Sequence, residues 1–93
     1  MKKLEIIIGS YELNKVIDIL EDSEALGYTV IADAAGRGKN GKRVKDEITE
    51  VNRRNVILCI DNEEKIKTII EKLKILKERY SLKAFVSDVS MEL

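Results

Sequence analysis

With 93 residues the chain is long enough for one domain, residues 1–93, and too short for two. Apolar residues make up 44% and charged residues 37%, which excludes wholesale disorder and puts a thin core beneath a charged surface. A formal net charge of zero excludes broad nucleic-acid affinity; no histidine and one cysteine exclude Ser–His–Asp chemistry, an intrachain disulfide and an ordinary zinc site.

Leu4, Ile6 and Ile8 alternate with Glu5 and Ile7, a period-two pattern that predicts a first strand closed by Gly9 and Ser10. Leu13, Val16, Ile17 and Leu20 then recur at helical spacing, with Glu12, Lys15, Asp18 and Glu21 on the wet face and Ser10 as the expected N-cap. Gly27 ends or follows this helix. Tyr28–Ala34, rich in aromatic and β-branched residues, predicts a second strand.

Gly36–Gly41 holds three glycines in six positions and predicts irregular structure. From Gly36 to Arg54 there are seven basic residues against three acids, so this stretch carries net +4 inside a neutral chain. Such a patch attracts a small anion or an acidic partner surface. A basic flexible loop is expected over about residues 38–54.

Asn55–Ile60 is the third expected strand, and Cys59 within it reads as a buried small hydrophobe. Asp61 or Asn62 can cap a second helix running from about Glu63 to Tyr80. Its apolar stripe is Ile66, Ile69, Ile70, Leu73, Leu76 and Tyr80, with Lys65, Lys67, Glu71, Lys72, Lys74 and Glu78 assigned to water. Leu82–Val89 supplies the fourth strand.

The order β-α-β-β-α-β predicts an α+β, ferredoxin-like domain: a four-stranded antiparallel sheet with two helices on one face. The other face is left with Ile7, and with either Thr29 and Ile31 or Val30 and Ala32. Burying about 500 Å² of such a face would be worth on the order of 12 kcal/mol before association costs, so a homo-oligomer is expected. Ile6–Ile8 is far too short for a signal peptide or membrane span, which predicts a cytoplasmic protein without direct membrane insertion.

Gly36–Arg37–Gly38–Lys39 follows a predicted strand. Its glycines let backbone N–H groups approach an anion, and its two cations add long-range attraction, as phosphate binding requires. An ordinary exposed turn has the same composition, and the stretch is neither a P-loop nor a dinucleotide fingerprint. Thr29 offers a hydroxyl to a base, although threonine in a strand needs no functional explanation. Lys83 can reach a phosphate or simply guard a strand edge. No arrangement of carboxylates or nucleophiles supports catalysis or a metal centre, so an enzyme is not expected. RNA-binding modules of this topology display aromatic residues on their central strands, and Val56–Ile57–Leu58–Cys59–Ile60 has none.

Several segments together resemble the PII and PII-like signalling proteins over nearly the whole chain. They are Met1–Ile7, Leu13–Asn14–Lys15–Val16, Gly27–Tyr28–Thr29–Val30, the Gly36–Arg37–Gly38 turn and Lys83–Ala84–Phe85–Val86. Gly27–Val30 followed by the Gly-x-Gly turn is especially similar to the bicarbonate-transporter-associated, carboxysome-related branch. The resemblance implies a homotrimer that binds an adenine nucleotide between subunits and touches a membrane transporter or metabolic enzyme through the loop after the second strand. By position, Gly27 and Thr29 would lie near the base, Gly36, Arg37, Gly38 and Lys39 near the phosphates, and Lys83 would reach a phosphate.

Two features depart from that pattern. Tyr80–Ser81–Leu82 replaces a glycine-rich turn with an acid, and the loop is shorter and has no tyrosine. AMP, ADP, ATP and cyclic AMP stay open as regulatory ligands. So do two further readings: an interaction module with a degenerate nucleotide site, and a metal-related trimeric small protein.

Overall fold

Strand β1 (Lys2–Gly9) is followed by α1 (Leu13–Asp22), β2 (Thr29–Ala34), β3 (Gly36–Gly38), β4 (Gly41–Arg43), β5 (Arg54–Asp61), α2 (Glu63–Lys77) and β6 (Leu82–Asp88). The computed structural model describes residues 1–34, 36–38, 41–43 and 54–93. The main sheet runs β2-β5-β1-β6, every neighbouring pair antiparallel. This is the expected ferredoxin-like arrangement, with the two most deeply buried strands at its centre.

Period-two alternation sorts the sheet into two faces. Leu4, Ile6 and Ile8 of β1 and Ile57 and Cys59 of β5 are buried, facing Val16 and Leu20 of α1 and Ile66, Ile69 and Leu73 of α2. Val30 joins the margin of that core. The odd residues of β1 from Lys3 to Ile7 are only partly buried, as are Val56 and Leu58. Of the two alternatives for the second strand, Thr29 and Ile31 therefore occupy the open face. At the strand ends Lys2 faces Asp88 across the ladder and pairs with it, holding the Asp88 carboxyl below its usual range by hydrogen bond and charge.

Several local expectations are corrected. Ser10 does not cap α1: the N-cap position is Glu12, which makes no side-chain cap, and residues 10–12 form a turn. Of the two expectations for Gly27, that it ends or follows the helix, the second holds, because α1 stops at Asp22. The Ala25 N–H donates to the Leu20 carbonyl and the Glu24 N–H to that of Glu21, a Schellman closure with Glu24 itself at φ +57°. The second helix ends at Lys77, three residues earlier than expected, in a turn that keeps Tyr80 half-buried. Asn62 is its N-cap: Oδ1 accepts the Lys65 N–H at 2.8 Å.

The glycine-rich stretch is more regular than its composition predicts. Gly36–Gly38 pairs antiparallel with Gly41–Arg43, with Gly38 opposite Gly41. The ladder gives backbone groups of this stretch partners that composition alone does not reveal. β2 reaches this ribbon through a bulge: Ile31 pairs with Val56 but Ala34 with Arg54, and Asp33 takes up the extra residue at φ +59°. The rest of the expected basic loop, 39–40 and 44–53, lies outside the described residues.

Candidate functional site

Thr29 opens β2 opposite Leu58, on the sheet face away from the helices, and is exposed. Lys83 lies opposite Ile7 on β6, also exposed on that face, with no ion-pair partner among the described residues. The register lays two rows across the open face. One is Ile31, Val56, Ile7 and Lys83; the other is Thr29, Leu58, Glu5 and Phe85. Lys3 and Glu5 pair at 3.1 Å near the centre of the face.

Thr29 and Lys83 thus share a face but stand on its two edge strands. Three inter-strand steps separate them, about 14 Å sideways at the usual spacing. One small anion does not touch both within a single copy. β3 continues from the β2 edge, and its register pairs Gly36 with Arg43 and Arg37 with Lys42, concentrating basic positions on one short ribbon. Lys39 falls outside the described residues. Thr29 thus opens β2 on one edge strand, Gly36–Gly38 lies past the far end of that strand in a separate two-stranded ribbon, and Lys83 stands on the other edge strand.

Gly27 lies in the connection before Thr29 and is exposed; a Cβ built there would meet nothing within 4 Å. No steric reason for glycine arises among the described residues, so the open space around it is available to whatever approaches from outside. Next to it, the Tyr28 hydroxyl donates to Glu21 at 2.8 Å, which pushes the phenol pKa above its ordinary value.

Sequence reasoning missed the groups that hold this connection. Asp61, buried at the end of β5, accepts the Leu26 N–H on Oδ2 at 3.1 Å and the Asn62 N–H on Oδ1 at 2.7 Å. Lys65 Nζ donates to the carbonyls of Ser23 at 2.7 Å and Glu24 at 3.3 Å, and Lys72 Nζ donates to Ser23 Oγ at 2.9 Å. The helical pattern assigns both lysines to water; both are half-buried. A signal existed, because positions 65, 69 and 72 follow helical spacing and Ile69 is buried. A second was the lone acid closing an apolar strand.

At the far end of α2, Lys77 Nζ donates to the Leu82 carbonyl at 2.8 Å, and Lys15 sits 5.6 Å from the centre of the Tyr80 ring. The turn before Lys83 is thereby held by the chain's own side chains. Among the described residues no group of three or more acids, histidines or cysteines could hold a metal ion, and no helix is long and apolar enough to cross a membrane.

A family model described as nitrogen regulatory protein P-II matches residues 1–91. No curated protein sequence matches the chain. Among solved structures it is similar to CPII, a nitrogen regulatory PII-like protein from Thiomonas intermedia K12. CPII bound to ADP, AMP and bicarbonate superposes with a TM-score of 0.77 at 26% identity, over 95% of this chain and 88% of that one. Its complex with ADP and bicarbonate gives 0.79 at 26% identity, over 95% and 84%. A protein from Thermus thermophilus described as PII-like signalling shares the fold, with a TM-score of 0.79 at 22% identity over 95% and 85%.

Proposed function

We propose a ligand-sensing regulatory role for this chain, which belongs to the nitrogen regulatory protein P-II family. That family is regulatory rather than catalytic. In our reading an adenine nucleotide, ADP or AMP, binds between copies of a homotrimer. Its occupancy then changes the segment from about 38 to 54, which contacts a transporter or metabolic enzyme.

One observation carries the reading. Thr29 and Lys83 occupy opposite edges of one open face, so a site using both residue types takes them from two neighbouring copies. In this reading Gly27 adjoins Thr29 at the base, and Gly36, Arg37, Gly38 and Lys39, further along the same chain, would meet the phosphates. An anion near Arg37 and Lys39 would neutralise part of a segment carrying net +4 and bias it toward a second arrangement. Nucleotide and bicarbonate in the CPII complexes support ADP or AMP as ligand and bicarbonate as a second one; bicarbonate transport is the regulated process in this proposal. A cytoplasmic location, with recruitment to a membrane transporter, fits this role.

Calorimetric titration with AMP, ADP, ATP and cyclic AMP, each with and without bicarbonate, tests the proposal. ADP or AMP should bind, and Thr29→Val and Lys83→Ala should each weaken binding by roughly fivefold or more, the loss of about one hydrogen bond. No binding of any of the four at high micromolar concentration would overturn the nucleotide reading. A second reading, a ligand-independent interaction module, is favoured by the Tyr80–Leu82 turn, which Lys77 and Lys15 occupy from within. It requires a partner affinity that added nucleotide leaves unchanged.

A further inference from the structure

Asp61 is 2% exposed, on the inward side of β5 where Ile57 and Cys59 pack in the core. A carboxylate there is costly to bury unless it is hydrogen-bonded, and an apolar side chain is the simple packing solution. Both its oxygens accept backbone N–H groups, and one of these belongs to Leu26, thirty-five residues away in the chain. Leu26 itself is 86% exposed. Leu26 is held by its backbone hydrogen bond rather than by burial of its side chain, between Ala25 and Tyr28, which pack against the core.

Two further donors act on the same connection. Lys65 caps the carbonyls of Ser23 and Glu24 at the α1 terminus, and Lys72 holds the hydroxyl of Ser23, a residue that is itself buried. Between them Glu24 keeps a left-handed backbone that non-glycine residues adopt only when their surroundings impose it. Past the Leu26 anchor only Gly27 and Tyr28 remain before Thr29 enters the sheet opposite Leu58.

We infer that Asp61 is a positioning residue for the ligand site: its buried carboxylate, with Lys65 and Lys72, fixes the 23–26 connection so that Gly27–Thr29 is presented in one arrangement. This rests on the nucleotide-binding reading above. A segment already ordered loses less freedom when a ligand arrives, so the clamp raises affinity without touching the ligand.

The test uses the full chain with Asp61→Asn, which keeps the shape but turns an N–H donor toward the Leu26 or Asn62 N–H. Lys72→Met and its conservative counterpart Lys72→Arg serve as the second pair should Asp61→Asn fail to fold. Hydrogen exchange should rise about tenfold or more at Leu26–Thr29 in Asp61→Asn and Lys72→Met, with β1 and β5 unchanged. ADP affinity should fall about tenfold in both and return to within about twofold in Lys72→Arg. Unchanged exchange in the variants would overturn the clamp. Faster exchange with unaltered ADP affinity would overturn its role at the ligand site. If the wild type binds neither ADP nor AMP, the functional reading fails, and exchange alone decides whether Asp61 orders this segment.

Discussion

Cys59 lies on the inward side of β5, 1% exposed, packed between the helices and the sheet. Burial, and secondarily the charge of Asp61 two residues on, push its thiol pKa above the ordinary 9.0. Well below pH 9 the thiol is protonated in both the folded and unfolded chain, and nothing is lost. As pH rises past about 9 the unfolded chain ionises first, so stability falls until the folded thiol also ionises. Wild type should therefore lose stability relative to Cys59→Ala above about pH 9, measured by urea unfolding at stepped pH. Parallel pH curves would refute it. An aromatic disulfide reagent at about pH 8 should label Cys59 far more slowly in the native protein than in urea.

The capping of α2 was legible in the chain, whereas the start of α1 was not. Asn62 follows an apolar strand and precedes Glu63 and Glu64, and Lys74 and Lys77 complement the other end, so local chemistry agrees throughout. Ser10 offered a comparable signal for α1, yet the turn at 10–12 moves the helix start beyond its reach. Replacing Asn62 with Ala removes an acceptor from the Lys65 N–H and should cost about 1 kcal/mol. The urea midpoint should drop with an unchanged slope, and Asn62→Asp should restore most of it. A loss below a few tenths would mean that the tie between Asp61 and the Asn62 N–H already supports the helix start.

Over the molecule as a whole, the helices cover one face of the sheet and leave the other with Ile31 48%, Ile60 42% and Phe85 55% exposed. Ile7, Val56 and Leu58 lie between them, half-buried by their neighbours. Contiguous apolar strand positions of this kind are sheltered in association, and closed symmetry does so without leaving a growing surface. Sedimentation at low micromolar concentration should give three copies of the 10.6 kDa chain. Ile31→Asp and Phe85→Asp, both at exposed positions, should retain the wild-type circular dichroism while lowering the mass toward one copy. A wild-type monomer would refute shelter of this face altogether. A dimer would leave the packing argument standing and overturn the homotrimer.

The alternation in β1, the continuous apolar run of β5, the helical stripe of α2 and the glycine-flanked connections determined the β-α-β-β-α-β order, because each is a local pattern that a chain carries whatever its neighbours. Much of the core followed from the same patterns, Cys59 included, whereas the uniformly apolar Val56–Ile60 left it to the tertiary structure to turn Ile57 inward and Ile60 outward. Tertiary structure alone decided which strands stand at the edges, and hence that Thr29 and Lys83 share a face yet stand on its opposite edge strands. It alone brought Asp61 to Leu26 and Lys65 and Lys72 to the end of α1, pairs separated by 35 to 49 positions in the chain. Such contacts leave little local pattern, since a buried carboxylate or a half-buried lysine is acceptable only once a distant backbone group arrives to meet it.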